Sequence, residues 1–330
     1  MKKIILTAVA LMLALSMLAL PSCTTEGEGD DTDAAGTNSS DTTSGNVSSG
    51  DTTSDGNGND DSTASSSRYT NFDLRTDYDE DEAVTVVFTD ETITLSGNDT
   101  TGATVDGTTL TITAEGTYVI SGSCSDGQII VEVSDTEKVQ LVFNGISLMC
   151  KTSAPVWVKC ADKTSITLAD GTTNTIQDAA SYTDVNTDGE PNACIFSKDD
   201  LTINGTGTLN VYANCNNGIT SKDDLKIISG IITVTAENHG IRGNDSVTIK
   251  DGTISVSCGN DGIKASNTTK SDKGYIYIEG GTITIDCGDD ALQAITSIDV
   301  TGGSITVSAA GDVTNCEGTV NLADGSVTEQ

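Results

Sequence analysis

The sequence contains few aromatic residues, few basic residues and a single histidine, His239. Aromatic residues make up 4% of the 330 residues, and 16 lysines and arginines stand against 49 aspartates and glutamates. The formal net charge of -33 excludes nucleic acid as a partner, because a phosphate backbone requires a basic face. A pair of histidines for a metal or nucleophile site is excluded as well. We expect a chain of this composition to bind cations, or neutral and cation-bridged polymers.

The first 23 residues have the layout of a secretory signal. Two lysines, Lys2 and Lys3, precede an apolar run from Ile4 to Leu20. The run ends in LPSC, which resembles the lipobox of bacterial lipoproteins, and this resemblance implies that Cys23 is lipidated. We predict a protein anchored by this lipid at the extracellular face of the bacterial cell membrane. An uncleaved membrane anchor is the alternative, because the run is close to the minimum length that spans a bilayer.

Residues 24–68 are predicted to be a disordered linker. They are rich in aspartate, serine, threonine and glycine, with no basic residue before Arg68 and no aromatic residue. Such a segment cannot bury enough apolar surface to offset the entropy that is lost on ordering. As a flexible coil it would span roughly 35 to 40 Å and hold a folded domain, predicted at residues 69–325, away from the cell envelope.

A short phrase returns about every 22 residues in the second half of the chain. It is NNGIT at 216–220, NHGIR at 238–242, NDGIK at 260–264 and DDALQ at 289–293. Each phrase follows two short strands with alternating apolar residues. Because a unit of this size cannot bury its apolar face alone, successive units must stack. We predict an all-β fold, a right-handed single-stranded parallel β-helix of roughly eight coils, with residues 69–108 capping its N-terminal end.

Stacking places equivalent residues of successive coils in columns, about 4.8 Å apart. One column is predicted to be a ladder of hydrogen-bonded asparagines at a corner of the helix, with Asp289 at its end. The asparagines are Asn192, Asn216, Asn238 and Asn260. Another column places Cys258 beside Cys287 in the interior, as buried thiols or as a disulfide. His239 occupies a variable position of its phrase, which we expect to face outward.

Six segments carry a pattern that is more specific than a shared solenoid composition. They are LVFNGISL, ADKTSITLADGTTNTI, EPNACIFSKDDLTINGTGTLNV, NNGITSKDDLKI, HGIRGNDSVTIKDGTISV and GYIYIEGGTITI. These segments resemble a bacterial carbohydrate-binding family of clostridial β-helix proteins, over about residues 80 to 320. The resemblance implies a polysaccharide-lyase-like fold, binding of cellulose and acidic sugars, and bound calcium.

The segment DVNTDGE at 184–190 is one candidate calcium site. Asp184, Asn186 and Asp188 alternate before a glycine, as in the first half of an EF-hand loop. Position twelve would be Ile195 rather than glutamate, so Glu190 or a neighbouring coil would have to complete the site. The alternative is an ordinary acidic turn, because these residue types are common in turns.

A second candidate calcium site is a column of carboxylates beside the asparagine ladder, formed by Asp261, Asp289 and Asp290. Carboxylates about 5 Å apart repel one another unless a cation lies among them. Calcium, the predicted cofactor, takes six to eight oxygen ligands. The alternative is neutralisation by basic residues on the same strip, which are Lys222, Arg242 and Lys264.

The stacked strands of a solenoid offer a long flat face for a polysaccharide. Trp157 is expected to point outward and to stack on a sugar, or else to lie covered by a loop, and Tyr212 is a second aromatic candidate. Arg242 and Lys264 would pair with the uronate groups of an acidic polysaccharide, while calcium bridges carboxylates to carboxylates.

These residues and the resemblance together predict a non-catalytic, monomeric surface protein that binds plant cell-wall polysaccharides, such as cellulose or polygalacturonate. Calcium-dependent pectate lyases share the predicted fold, so a lyase that uses Arg242 or Lys264 beside Asp261 is the first alternative. A structural surface adhesin that needs no binding site is the second.

Overall fold

The computed structural model describes residues 68–183 and 190–330. Within these residues the chain forms one four-residue helix and 28 strands. No helix in the same two ranges is long and apolar enough to cross a membrane. Several predicted features lie outside the described residues: the signal at 1–23 with Cys23, the linker up to residue 67, Asp184, Asn186 and Asp188.

The first part of the described chain contains the helix and seven strands. They are α1 (Asn71–Leu74), β1 (Val84–Phe88), β2 (Ile93–Ser96), β3 (Ala103–Asp106), β4 (Thr109–Ile112), β5 (Gly116–Cys124), β6 (Gln128–Glu132) and β7 (Lys138–Cys150). Triplets of short strands follow. They are β8 (Val156–Cys160), β9 (Lys163–Leu168), β10 (Thr173–Asp178), β11 (Ala193–Ser197), β12 (Asp200–Gly205), β13 (Thr208–Ala213), β14 (Asn217–Ser221), β15 (Asp224–Ile227), β16 (Ile231–Ala236), β17 (Ile241–Gly243), β18 (Ser246–Ile249), β19 (Thr253–Cys258), β20 (Ile263–Ala265), β21 (Tyr275–Ile278), β22 (Thr282–Cys287), β23 (Leu292–Ala294), β24 (Ser297–Val300), β25 (Ser304–Ala309), β26 (Thr314–Cys316), β27 (Thr319–Leu322) and β28 (Val327–Glu329). The last strand lies beyond residue 325, where we predicted the end of the domain.

Strands that hold the same place in successive triplets pair in parallel, so the triplets stack as three sheets. Sheet 1 contains β9, β12, β15, β18, β21, β24 and β27. Sheet 2 contains β10, β13, β16, β19, β22, β25 and β28. Sheet 3 contains β3, β4, β6, β8, β11, β14, β17, β20, β23 and β26. This architecture confirms the predicted all-β fold and the parallel β-helix.

The interior of the helix is made of aliphatic columns. Leu201, Leu225, Val247, Ile276 and Ile298 are partners on successive strands of sheet 1, and all five are fully buried. Burying one such side chain stabilises the fold by about 1.5 to 3 kcal/mol. The interior side chains of a single coil are covered only by the coil before it and the coil after it, so the coils are stable only as a stack.

The N-terminal end is capped by two antiparallel pairs. Strand β1 pairs with β2, and β3 pairs with β4. Strand β1 then runs parallel to β5, and β4 runs parallel to β6, so both pairs continue into the solenoid. The predicted cap at residues 69–108 contains β1, β2 and β3, while their fourth partner β4 begins at Thr109, just beyond it.

Residues 68–75, which we call the strap, lie across the outer side of sheet 1. Asp73 is fully buried there, and its carboxylate lies 3.0 Å from Nζ of Lys163 and 3.1 Å from Nζ of Lys226. At the other end, the guanidinium of Arg68 lies 3.7 Å from the ring centre of Tyr277. Although burial opposes ionisation of Asp73, the two lysines and a hydrogen bond from Thr202 hold its pKa well below the usual value. The strap is thus fixed to the sheet by a buried charge cluster.

The asparagine ladder extends over three coils. Nδ2 of Asn238 donates to Oδ1 of Asn216 at 2.9 Å, and Nδ2 of Asn260 donates to Oδ1 of Asn238 at 3.1 Å. The ladder does not continue to Asn192, contrary to our prediction. Asn192 accepts a hydrogen bond at its backbone carbonyl from Asn217, and its Oδ1 has no hydrogen-bond partner within the described residues.

Cys258 and Cys287 are direct partners on β19 and β22, and both are free thiols. Each thiol lies within hydrogen-bond distance of a backbone carbonyl of the following corner, with Cys258 at 3.2 Å from Asp261 and Cys287 at 3.4 Å from Asp289. The sequence left buried thiols and a disulfide as alternatives, and in the structure both residues are thiols.

Replacing Asn260 with leucine is expected to lower the free energy of unfolding by about 1 to 3 kcal/mol, because Oδ1 of Asn238 loses its donor at the corner. Thermal unfolding measures the effect, with Thr253→Leu at an exposed position of the same coil as the control. Equal melting temperatures for Asn260→Leu and the parent would contradict a stabilising role of the ladder.

Replacing Asp73 with asparagine is expected to destabilise the fold by about 3 to 5 kcal/mol at pH 7, because it leaves buried ammonium groups without their counter-charge. A carboxyl with a lowered pKa stabilises the fold above its ordinary pKa, and this contribution is lost as the pH falls. The difference between parent and variant in urea unfolding should therefore be largest near neutral pH and shrink below about pH 4.

The matched control for this prediction is Asp77→Asn, at an exposed position just after the strap. A difference between Asp73→Asn and the parent that stays constant from pH 7 to pH 2 would show that the charge of Asp73 does not hold the strap.

Candidate functional site

One outward column of sheet 3 contains three of the predicted binding residues. The column, which we call the sheet 3 stripe, runs through Trp157, Phe196, Thr220, Arg242, Lys264, Gln293 and Asn315. Neighbouring strands lie about 4.8 Å apart, so the stripe is a continuous line along the solenoid. Trp157, Arg242 and Lys264, which are far apart in the sequence, thus face the same side of the molecule.

Trp157 points outward from sheet 3 but is not open to solvent. Its side chain is 7% exposed and packs with Ala154, Ala193 and Phe196 in a small cluster outside the main core. The ammonium of Lys159 lies 4.6 Å from the centre of its ring. The expectation that Trp157 is an open stacking platform is therefore wrong for this structure, and the alternative of a covered side chain describes it.

Tyr212 lies on a different side of the solenoid. It belongs to β13 in sheet 2 and is 39% exposed, so its ring is available to a ligand. Two of the four carbohydrate-binding candidates, Arg242 and Lys264, therefore share one accessible face, and Tyr212 is on another.

The carboxylate column forms a compact group at the corner before sheet 3. Asp261, Asp289 and Asp290 each bring one carboxylate oxygen within 4.8 Å of the others. Asp261 and Asp290 are buried, and Asp289 is exposed. Together with neighbouring polar residues they line a cavity of about 310 Å³, which we call the carboxylate pocket. Its lining residues are Asn260, Asp261, Lys264, Asp289, Asp290, Gln293 and Asn315.

Two of these carboxylates also hold the backbone of the next coil. Oδ1 of Asp261 accepts the backbone N–H of Asp290 at 3.2 Å, and Oδ1 of Asp290 accepts that of Asp312 at 2.8 Å. Asn217 does the same for His239 at 3.2 Å. The column next to the asparagine ladder therefore satisfies corner amides.

His239 is buried, which corrects the expectation that it faces outward. Its Nδ1 lies 3.2 Å from Oδ2 of Asp261 and 3.3 Å from the backbone nitrogen of the same residue. These two contacts require opposite protonation of Nδ1. Because Nε2 lies 3.5 Å from the ammonium of Lys264, which can only donate, we place the proton on Nδ1, donated to the carboxylate. Burial lowers the pKa of His239, so a neutral ring lies between Asp261 and Lys264.

The carboxylate pocket keeps an excess of negative charge. Burial opposes ionisation of Asp261, but the hydrogen bond from His239 and the ammonium of Lys264, at 3.3 Å, hold its pKa below the usual value. Burial, followed by the neighbouring carboxylates of Asp290 and Asp261, raises the pKa of Asp289. Within the described residues neither Asp289 nor Asp290 has a basic partner at ion-pair distance.

The other basic residues that were predicted to neutralise this column have different partners. Arg242 donates to Oγ of Ser266 at 3.0 Å, and Nζ of Lys222 lies 3.9 Å from the carboxylate of Glu190. Glu190 is also 3.7 Å from Nζ of Lys198. Of the three residues, Lys264 is thus the one that compensates the column, and the predicted calcium ligand Glu190 is held by lysines.

Carboxylates also gather at the corner that precedes sheet 1. Burial, followed by the carboxylate of Asp245, raises the pKa of Asp223 to about 7, and Nζ of Lys273 lies 3.4 Å from Asp245. The carboxylate oxygens at this corner are not grouped as closely as those of the carboxylate pocket. Across residues 68–183 and 190–330, no second group of three acidic, histidine or cysteine side chains brings its ligand atoms so near to one another.

The residues of the carboxylate pocket fit a calcium ion by their chemistry. Oε1 of Gln293 is buried and has no hydrogen-bond partner in the described part of the chain, although it lines this pocket. An unpaired buried carbonyl oxygen next to three carboxylates is an unfavourable arrangement that a cation would relieve. Calcium prefers a set of carboxylate and amide oxygens, which is the donor set present.

The sequence matches a known family over most of its folded part. The profile of that family, described as carbohydrate-binding domain-containing protein, matches residues 106–328. A relative from Acetivibrio thermocellus with the same description is 42% identical over 152 residues, which are 46% of this chain and 52% of the relative. The chain thus spans about half the length of this relative.

A solved structure has the same fold. It is described as the polysaccharide lyase-like protein from C. thermocellum, in the form of a gadolinium derivative. The superposition has a TM-score of 0.73 at 40% sequence identity, and it covers 75% of this chain and 100% of the other.

Proposed function

Because this chain belongs to the family of carbohydrate-binding domain-containing proteins, we propose that it binds plant cell-wall polysaccharides at the bacterial cell surface without cleaving them. The polymers of this proposal are cellulose and acidic sugars such as polygalacturonate, and the cofactor is calcium. The lipid on Cys23 anchors the protein, and the linker extends it from the membrane. The observation that carries the acidic-sugar part is the carboxylate pocket, which opens beside Lys264 on the sheet 3 stripe.

Calcium in this pocket would be held by Asp261, Asp289, Asp290 and Oε1 of Gln293. Bound there, the ion supplies the positive charge that lets a uronate approach an otherwise acidic surface. Lys264 offers an ammonium next to the same position, and Arg242 lies one strand further along the stripe. A polymer that runs along the stripe would meet these groups one after another.

The relatives support this proposal in two ways. The family and the Acetivibrio thermocellus relative are both described by carbohydrate binding. The neighbouring structure was obtained with gadolinium, which, like calcium, is a hard cation that binds oxygen ligands. The first description supports a carbohydrate ligand, and the second is consistent with a cation site on this fold.

A polysaccharide lyase is the second candidate function. The observation that favours it is the pair formed by Lys264 and Asp261, with Nζ and Oδ2 3.3 Å apart at the edge of the carboxylate pocket. A lyase needs a basic residue that abstracts a proton beside its calcium. Here the ammonium of Lys264 is engaged by both Asp261 and His239, which favours binding over proton transfer. A structural adhesin is the third candidate and needs neither calcium nor a sugar.

Co-sedimentation of the full chain with insoluble polygalacturonate, with calcium and with chelator, tests the function directly. We expect retention that depends on calcium and no new ultraviolet absorbance in the supernatant. Rising absorbance from unsaturated products would establish a lyase instead. Equal, negligible retention under both conditions would favour the adhesin and contradict acidic-sugar binding.

Replacing Asp289 with asparagine is expected to weaken calcium binding about tenfold or more, because the site loses one charged ligand. Asp289 is exposed, and its side chain is not among those that hold the backbone, so the fold should persist. Isothermal titration with calcium measures the change, with Asp286→Asn on sheet 2 as the matched control. Unchanged affinity in Asp289→Asn would remove the carboxylate pocket as the calcium site.

A further inference from the structure

The three sides of the solenoid differ in charge. The outer side of sheet 1 carries lysines and aspartates and is partly covered by the strap, through the buried contacts of Asp73 with Lys163 and Lys226. The outer side of sheet 3 carries Arg242 and Lys264. The outer side of sheet 2 has almost no charge, although the whole chain has a formal net charge of -33.

This uncharged side is built from the outward residues of β10, β13, β16, β19, β22 and β25. Each of these six strands presents three outward residues, and Asp286 is the one charged residue among the eighteen. Most of the others are threonines and serines. We call this surface the hydroxyl face, and its central column contains Thr175, Asn210, Thr233, Ser255, Thr284 and Thr306.

The polar side chains of the hydroxyl face are not used by the fold. In the described residues the central hydroxyls of Thr233, Ser255 and Thr284 make no hydrogen bond to another side chain or to the backbone. By contrast, the hydroxyl of Thr202 on sheet 1 is bonded to Asp73. The donors and acceptors of the hydroxyl face are therefore available to a partner outside the chain.

The geometry of the hydroxyl face suits a flat polymer. Parallel strands repeat the same hydroxyl about every 4.8 Å along the solenoid, and threonine is stiff at χ1, so little side-chain entropy is lost on contact. Tyr212 and Ile231, which are 39% and 48% exposed, add apolar surface at opposite edges of the neighbouring strands β13 and β16. Aromatic and apolar contacts of this kind pack against the apolar faces of sugar rings.

A groove borders the hydroxyl face at the turns between sheets 1 and 2. It has a volume of about 500 Å³, and the side chains that line it are those of Thr206, Ser229, Ile231, Asp251, Thr253 and Thr282. The glycines at these turns have positive φ values, such as 117° at Gly230 and 127° at Gly252, which other residues rarely adopt. Because glycine has no side chain, the groove stays open at these turns. It adjoins the hydroxyl face and is also lined by threonine and serine.

We propose that the hydroxyl face is a second polymer-binding surface, whose ligand is a neutral polysaccharide with flat chains, such as an insoluble β-glucan. An anionic polymer would be repelled, since the face has no cation to pair with it. A protein partner is disfavoured, because protein interfaces depend on aromatic and arginine anchors, and the eighteen outward residues include one aromatic residue, Tyr212, and no arginine. A neutral polyhydroxyl chain requires many weak, repeated hydrogen bonds, which is what the face supplies.

This inference rests on the proposed carbohydrate-binding function but assigns neutral and acidic polymers to different sides of the molecule. Its test uses the full chain and microcrystalline cellulose, with calcium-dependent retention on polygalacturonate measured in parallel. The variant is Thr233→Glu with Thr284→Glu, which places two charges on the face and touches no interior residue. We expect retention on cellulose to fall about tenfold or more, and retention on polygalacturonate to stay at the parental level.

A second variant, Ser255→Arg, places one charge of opposite sign at the centre of the face, in case the double variant does not fold. The control is Thr319→Glu, which places a negative charge, like those of the double variant, on an exposed strand position of sheet 1. Parental cellulose retention in a folded variant of the hydroxyl face would overturn the inference, as would a parent that does not bind cellulose. If the parent is not retained on polygalacturonate in the presence of calcium, the result would instead contradict the proposed acidic-sugar function.

Discussion

Parallel pairing between successive coils is the constraint on which the rest of the structure depends. It places equivalent residues of successive coils directly beside one another, so that each residue of a coil belongs to a column. Aliphatic columns fill the interior, the asparagine ladder joins side chains of successive coils, and the carboxylates of Asp261 and Asp290 hold corner amides. The same pairing lines up outward residues, which turns a repeated residue into a long uniform face.

Columns of like charge are costly, and this molecule handles them in different ways at different places. In the strap, the buried carboxylate of Asp73 lies between two lysines of sheet 1. At the corner before sheet 3, Lys264 and a neutral His239 compensate Asp261, while Asp289 and Asp290 lie close together and have no basic partner at ion-pair distance within the described residues. Charge that the fold does not compensate remains available for a ligand, which is why the carboxylate pocket, rather than another acidic cluster, is the candidate cation site.

The periodic part of the structure could be predicted from the sequence because its contacts repeat at a fixed spacing. The alternation around Leu225 and Val247 and the phrase at residues 238–242 indicate strands, corners and the stacking of coils. Contacts outside the repeat leave no such signal. Asp73 meets Lys226 across a long stretch of chain, and Trp157 packs against Ala154, which lies in the loop before its strand.

The burial of His239 was also not predicted from the sequence, although this residue lies within the repeat. Its phrase varies at this position, which suggested an outward residue, but the side chain occupies the same column as Asn217 and Asp261 and is buried there. Comparing Asn217, His239 and Asp261 as one column of polar side chains would have indicated a buried role. The residue type at this position varies from coil to coil, but the side chain is buried in each of them.

Diffraction from crystals grown with calcium and a short oligogalacturonate would show directly whether a cation and an acidic sugar share the carboxylate pocket. We predict density for a cation among Asp261, Asp289, Asp290 and Oε1 of Gln293, with a uronate carboxylate beside it near Lys264. A cation and sugar bound at another surface, with this pocket holding neither, would contradict this prediction.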